Sequence, residues 1–208
     1  SIYLTGNTVV DSLLEIEKKI PDNFMERFNL KTKDFILVTM HRRENWGKNL
    51  EDIISGLKKV INVNRNISLF IPVHLNSIVR EPILRSLGGI SRVKLTDPLN
   101  YQDMVGVLKN CKIVLTDSGG LQEEAPTFGK PVLVLRKTTE RLEAIKAGTA
   151  KLIGTNSITI FKEVQNLLLN QKNYDQMSKS NNPFGDGNSS EKIIQICKDF
   201  LNLSNSKK

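Results

Sequence analysis

Residues 116–126 read TDSGGLQEEAP and lie between two apolar runs, KIVL and PVLVL. Ser118, Gly119 and Gly120 therefore follow a strand-like segment directly, with two carboxylates close behind. Adjacent glycines let a backbone approach a ligand, and the free N–H groups of a starting helix attract anions. Ser118 adds a hydroxyl. A phosphate suits this arrangement, and a plain turn is the competing explanation. Glu123 and Glu124 have a bland reading too, since acids early in a helix gain about 0.3–1 kcal/mol from its dipole. Placed one turn beyond a bound phosphate, however, such an acid accepts hydrogen bonds from a ribose diol. Phosphate on bare backbone and sugar hydroxyls on an acid together describe a nucleotide. Pro126 requires the helix to begin or bend near it.

A second cluster is HRREN (41–45). Arginine forks match phosphate oxygens, and His41 beside them is suited to donate to a diphosphate or to protonate a departing phosphate. A structural histidine is the alternative. Glu44 either orients an arginine or forms a local ion pair. His74, in PVHLN, bridges loops or supports the helix after Asn76. Arg136 and the TTER segment (138–141) offer further anion contacts or an exposed helix start.

These residues need a frame. Strand-like runs occur at 35–40, 68–73, 92–96, 112–116, 131–135 and, more weakly, 150–154, with IYL (2–4) reading as another strand. Helical periodicity falls between them, at 9–20, 50–63, 77–87, 101–109, 120–128, 140–147, 157–170 and 189–203. The alternation predicts an α/β fold, a doubly wound parallel sheet with helices on both faces. In such sheets ligands bind beyond the carboxyl ends of the strands. His41, His74, Ser118 and Arg136 all follow strand ends. Residues 178–190 (SKSNNPFGDGNSS) read as a polar crossing before the last helix, and the terminal SNSKK as frayed.

The 208 residues carry a formal charge of +8. The lysines are scattered with few aromatics beside them, which argues against nucleic acid and for phosphorylated ligands. No stretch reaches the roughly 20 apolar residues that span a bilayer. Cys111 and Cys197 form no metal-ligand or redox pattern and read as buried thiols in a reducing cytoplasm; no metal site is expected. The abrupt start at Ser1 predicts a domain boundary inside a longer protein.

Taken in order, TGNTVVDSL, HRREN, PVHLN, TDSGGLQEEAP, GKPVLVLR, TTER and NPFGDG resemble the non-hydrolysing UDP-N-acetylglucosamine 2-epimerases, over about residues 3–195. The resemblance is to their C-terminal, nucleotide-binding half, one of two Rossmann-like domains of a glycosyltransferase-B fold. It implies diphosphate contacts from Ser118, Gly119 and Gly120, a ribose-binding Glu124, and a catalytic His41 close to the diphosphate; Arg136, from its place after a strand end, is read as a further UDP contact. It implies that Arg42 and His74 serve a second, regulatory UDP-sugar. The implied reaction eliminates UDP to give a 2-acetamidoglucal and adds it back with C2 inverted, without metal or other cofactor. The groups that move the C2 proton would lie in the N-terminal half, so this chain alone is expected to bind without turnover. Residues 1–188 form the UDP-binding domain on this reading. Residues 189–208 form a helix returning toward the N-terminal domain, and a tail. A homodimer is left open, and the compartment implied is the cytoplasm. Two departures from the family pattern stand out: Leu142 replaces the usual proline of TERPEA, and Met40 precedes His41 where smaller residues are common. The donor half of a UDP-sugar glycosyltransferase and a basic non-catalytic binding module are the rival functions.

Overall fold

The computed structural model describes residues 1–30 and 34–205. Asn7 caps α1 (Thr8–Glu17) by accepting the Val9 N–H at 3.0 Å. After a 3₁₀ turn at Phe24–Phe28, β1 (Phe35–Thr39) leads to α2 (Lys48–Val63). The chain continues as β2 (Ser68–Pro72), α3 (Ser77–Leu87), β3 (Val93–Thr96), α4 (Tyr101–Asn110), β4 (Ile113–Thr116) and α5 (Gly119–Glu124). A 3₁₀ turn over Ala125–Phe128 follows, then β5 (Val132–Val134), α6 (Leu142–Ala147), β6 (Ala150–Leu152), α7 (Ser157–Leu169), α8 (Gln171–Ser178) and α9 (Ser189–Asn205).

The six strands form one parallel sheet in the order β3-β2-β1-β4-β5-β6. Alternate residues of each strand point to opposite faces. Ile36 and Val38 join α2, α3 and α7 through Ile53, Leu57, Ile83 and Ile160. Phe35 and Leu37 face the other way, toward Phe24, Val107, Leu108 and Leu121. Strands buried on both faces explain why these runs are uniformly apolar. Strand order reverses between β1 and β4, the place where sheets of this kind open a crevice for ligands.

The doubly wound α/β expectation is met, with several local corrections. IYL forms no strand; Ile2 and Leu4 are fully exposed, having no neighbouring strand to pair with. Cys111 is buried, but Cys197 is exposed on α9 and not a core thiol. The helix expected at 120–128 tightens to 3₁₀ geometry at Ala125, because Pro126 has no N–H to continue the α pattern. The helix expected from 140 starts at Leu142, in the first-turn position where proline is favoured. An unforeseen α8 packs Tyr174 and Met177 on the core. The fraying expected of SNSKK falls partly on 206–208, outside the described residues, while α9 runs on through Asn205.

Residues 6–11 and 184–190 are stitched together. The Asn7 N–H donates to the Phe184 carbonyl at 2.7 Å, and Asp11 accepts the N–H groups of Ser189 and Ser190, at 3.2 and 2.7 Å.

Candidate functional site

Thr39 and Thr116 are register partners at the carboxyl ends of β1 and β4, and their hydroxyls share a hydrogen bond of 2.6 Å. The two loops that leave these threonines carry HRREN and DSGG. They are joined by Asp117, which is wholly buried. Its carboxylate accepts the backbone N–H of His41 at 3.0 Å and of Arg42 at 2.9 Å. It also accepts Asn45 Nδ2 at 3.0 Å and lies 2.9 Å from His41 Nδ1. Burial alone would raise the Asp117 pKa; the donated bonds from His41 and Arg42 outweigh it and hold the group below the ordinary carboxylate range. Asn45 extends the brace to β5 by donating to the Leu135 carbonyl at 3.1 Å.

Ser118 caps α5, and its own N–H is held by Thr116 Oγ1 at 2.9 Å. Gln122 donates to the Ser118 carbonyl and accepts from Thr139, fastening the turn from beneath. Gly119 and Gly120 have no positive φ, so the backbone does not require glycine. A methyl group on Gly119 would stand 3.5 Å from the Arg141 guanidinium and 3.7 Å from that of Arg42, and one on Gly120 would meet only Ser118 Oγ, at 3.8 Å. The missing side chains thus leave open a space bounded by helical N–H groups and two guanidiniums. Arg42 Nε is buried there without a hydrogen-bond partner among the described residues. The site attracts an anion with oxygens to share.

The two glutamates of α5 separate in role. Glu123 is bonded by Arg141 Nε at 2.5 Å and Asn7 Nδ2 at 2.7 Å, which consumes its carboxylate. Glu124 is buried and, among the described residues, receives only the Tyr101 hydroxyl, at 3.2 Å. Burial raises its pKa against the lowering effect of that bond, and the neighbouring Glu123 adds to the rise. It therefore retains accepting capacity for a ligand donor.

His41 and His74 stack with ring centroids 6.4 Å apart and 23° between planes. His74 Nδ1 accepts the Asn76 N–H at 3.1 Å. Arg136 is placed differently from an open anion receptor. It is buried and bonds Glu44 through Nε at 2.6 Å and Glu140 through both terminal nitrogens, at 2.8 and 3.1 Å. The bonds from Arg136 pull Glu140 down to about 2. Arg136 faces a cavity of about 250 Å³ with Asn45, Asn49 and Thr155.

The structure therefore gathers His41, Arg42, His74, Ser118, Gly119, Gly120 and Glu124 at one edge, and sets Arg136 into an ion-pair network behind it. Asp117, Asn45, Tyr101 and the pairing of Arg141 had no assigned role in the sequence. The only sequence signal for Asp117 was its place directly after a buried strand. Among the described residues no group of three or more His, Cys, Asp or Glu side chains is arranged to hold a metal, and no helix is long and apolar enough to cross a membrane.

Comparison with known proteins places this geometry. The family described as UDP-N-acetylglucosamine 2-epimerase matches residues 1–198. The UDP-N-acetylglucosamine 2-epimerase of Salmonella typhimurium is 44% identical over 207 residues, covering 96% of this chain and 55% of that protein. Among solved structures, S. aureus MnaA with UDP superposes with a TM-score of 0.89 at 42% identity, over 98% of this chain and 55% of the other. The UDP-GlcNAc 2-epimerase of Neisseria meningitidis bound to UDP-GlcNAc gives 0.86 at 37%, over 94% and 55%. The chain thus spans about half the length of the relatives it matches. A sucrose-phosphate synthase from Thermosynechococcus elongatus, at 14% identity and a TM-score of 0.57, shares the fold only.

Proposed function

The chain belongs to the UDP-N-acetylglucosamine 2-epimerase family, and from that premise we propose that it is the C-terminal, UDP-binding half of a non-hydrolysing epimerase. The observation that carries the reading is the open space over Gly119 and Gly120, flanked by Arg42 and Arg141, with Glu124 buried one turn further on. The diphosphate lies against the Ser118 hydroxyl and the N–H groups of Gly119 and Gly120, where helical partial charge and guanidinium charge act together. Glu124 accepts from the ribose hydroxyls. Arg136 contributes to UDP binding by bracing Glu44 and the Lys137–Thr138 turn, rather than as a bare phosphate ligand.

His41 stands beside the diphosphate as the catalytic acid of this half. In the elimination, a base outside this chain removes the C2 proton, the C1–O bond breaks, and its electron pair leaves on the phosphate oxygen of UDP. His41 gives a proton to that oxygen and recovers it when UDP adds back to the 2-acetamidoglucal with C2 inverted. Arg42, whose guanidinium borders the glycine space, and His74, stacked on His41, also serve a second UDP-sugar with a regulatory role. The reaction draws on no metal or organic cofactor and belongs in the cytoplasm, where nucleotide sugars for surface polymers are made.

The partner is the N-terminal domain of the same enzyme. Beyond its anchored first turn, α9 exposes Ile193, Ile194, Cys197, Phe200 and Leu201, an apolar stripe at helical spacing. That stripe returns to the N-terminal domain, and residues 1–188 stand as the nucleotide domain. A homodimer would be built by the full-length protein. The glycosyltransferase alternative keeps only the support of the shared fold.

Calorimetric titration with UDP, with UMP and inorganic phosphate as controls, tests the reading. UDP binding that weakens with UMP and disappears in Ser118→Trp is expected. Folded chain that binds none of the three would overturn it. Full-length enzyme is expected to convert UDP-N-acetylglucosamine by C2 inversion without an acceptor, and this chain alone to show none.

A further inference from the structure

The two histidines of the chain meet in the site, and their Nδ1 atoms have opposite surroundings. His41 Nδ1 lies 2.9 Å from Asp117 Oδ1. That carboxylate is buried, and every other contact it makes is to a donor: the N–H groups of His41 and Arg42 and the amide of Asn45. An ionised carboxylate only accepts, so Nδ1 must carry the proton. His74 Nδ1 instead accepts the backbone N–H of Asn76 at 3.1 Å, so a neutral His74 must carry its proton on Nε2. The rings stack at 6.4 Å.

We propose that Asp117 is a positioning residue that fixes His41 in its Nδ1–H form, while the Asn76 backbone fixes His74 in the Nε2–H form, so that the stacked rings differ in what they offer a phosphate. The functional consequence rests on the nucleotide reading; the tautomers do not. The oxygens of a nucleoside diphosphate at neutral pH are hydrogen-bond acceptors. Neutral His74 can donate to them as it stands. Neutral His41 presents a lone pair at Nε2 and repels them; it donates only after gaining a proton there. Where His41 is neutral, binding UDP is therefore coupled to proton uptake at its Nε2. The imidazolium so formed faces Asp117 from the loop after β4 and His74 from the loop after β2, with Arg42 next to it in the chain; the buried carboxylate compensates its charge. The same proton is the one available to a departing phosphate oxygen.

The first test needs no ligand. Imidazole nitrogen-15 spectra of the chain at about pH 8, where imidazole is neutral, are assigned by comparison with His74→Gln. The expected result is one ring protonated on Nδ1 and assigned to His41, and one on Nε2 assigned to His74. The same form for both, or Nε2–H for His41, would overturn the proposal. Asp117→Asn, whose carboxamide can donate to Nδ1, is expected to switch His41 to Nε2–H; if that variant does not fold, the wild-type spectrum still decides. The second test measures UDP binding by calorimetry at the same pH, with the neutral ring seen in the spectra, in two buffers of different protonation enthalpy. Net proton uptake in wild type, lost in Asp117→Asn and retained in His74→Gln, is expected. UDP binding without proton uptake would overturn the functional half. No UDP binding at all would overturn the nucleotide reading and that functional half with it, and the ligand-free spectra would still judge the tautomers.

Discussion

The Tyr101 hydroxyl donates to the Glu124 carboxylate across 3.2 Å, tying the first turn of α4 to the last turn of α5. It is the one hydrogen bond that Glu124 receives among those described, and it points a buried acid whose ionised form is costly there. Burial and the nearby charge push Tyr101 up to about 12, so it stays a donor throughout the working pH range.

Glu124→Gln is expected to separate stability from binding. The folded-state pKa of Glu124 is raised, so its ionised form destabilises the fold once pH exceeds the unfolded value, and protonation relieves that cost in acid. The variant should melt higher than wild type at pH 7 and lose this advantage as pH falls toward the carboxylate range. UDP affinity should drop about 10–100-fold, or ~1.4–2.7 kcal/mol. Thermal melts across pH, with calorimetry at neutral pH, check both halves; a variant that binds UDP as wild type does would remove Glu124 from the ribose.

Gly120→Ala should show the same trade by another route. The added methyl meets only Ser118 Oγ at 3.8 Å, and the residue lies within α5 at ordinary φ. Helix propensity predicts a gain of roughly 0.5–1 kcal/mol. The same methyl occupies the space assigned to the diphosphate, so affinity is expected to fall at least about tenfold. Denaturant midpoints and UDP titrations measure the two effects independently.

Arg136→Met should leave Glu44 and Glu140 without their shared cation. Glu140 is depressed to about 2 by Arg136, so the pair stabilises the fold above the unfolded carboxylate pKa and loses that effect as pH falls toward 2. The variant is therefore expected to melt below wild type at pH 7, with the gap closing in acid. A gap independent of pH would assign the loss to packing.

The thiols provide a readout of α9. Burial pushes Cys111 up to about 12, whereas Cys197 is exposed. One thiol should react rapidly with a disulfide reagent in the native chain, and both after denaturation. In the full-length protein Cys197 should become protected if its helix face packs on the N-terminal domain. Equal reactivity in the two proteins would sink that packing.

The central strands β2, β1, β4 and β5 were legible because they are buried on both sides and therefore read as unbroken apolar runs, whereas the edge strands β3 and β6 are partly exposed and read more weakly. The placement of His41, Ser118 and Glu124 followed from that, since a parallel sheet has one ligand edge. Other features left no such trace. IYL has the composition of a strand and lacks a partner. α8 contributes only Tyr174 and Met177 to the core, too few to make a period. Asp117 looks like any helix-entry residue until the second loop arrives to donate to it. Arg136 reads as a phosphate ligand because sequence cannot show that Glu44, 92 positions away, has reached its Nε first.

The clasp between residues 6–11 and 184–190 has a mechanical consequence. The segment leading into α1 and the segment leading into α9 are bonded to each other as well as to the body of the fold. A load applied at either end of the chain is delivered to the same corner.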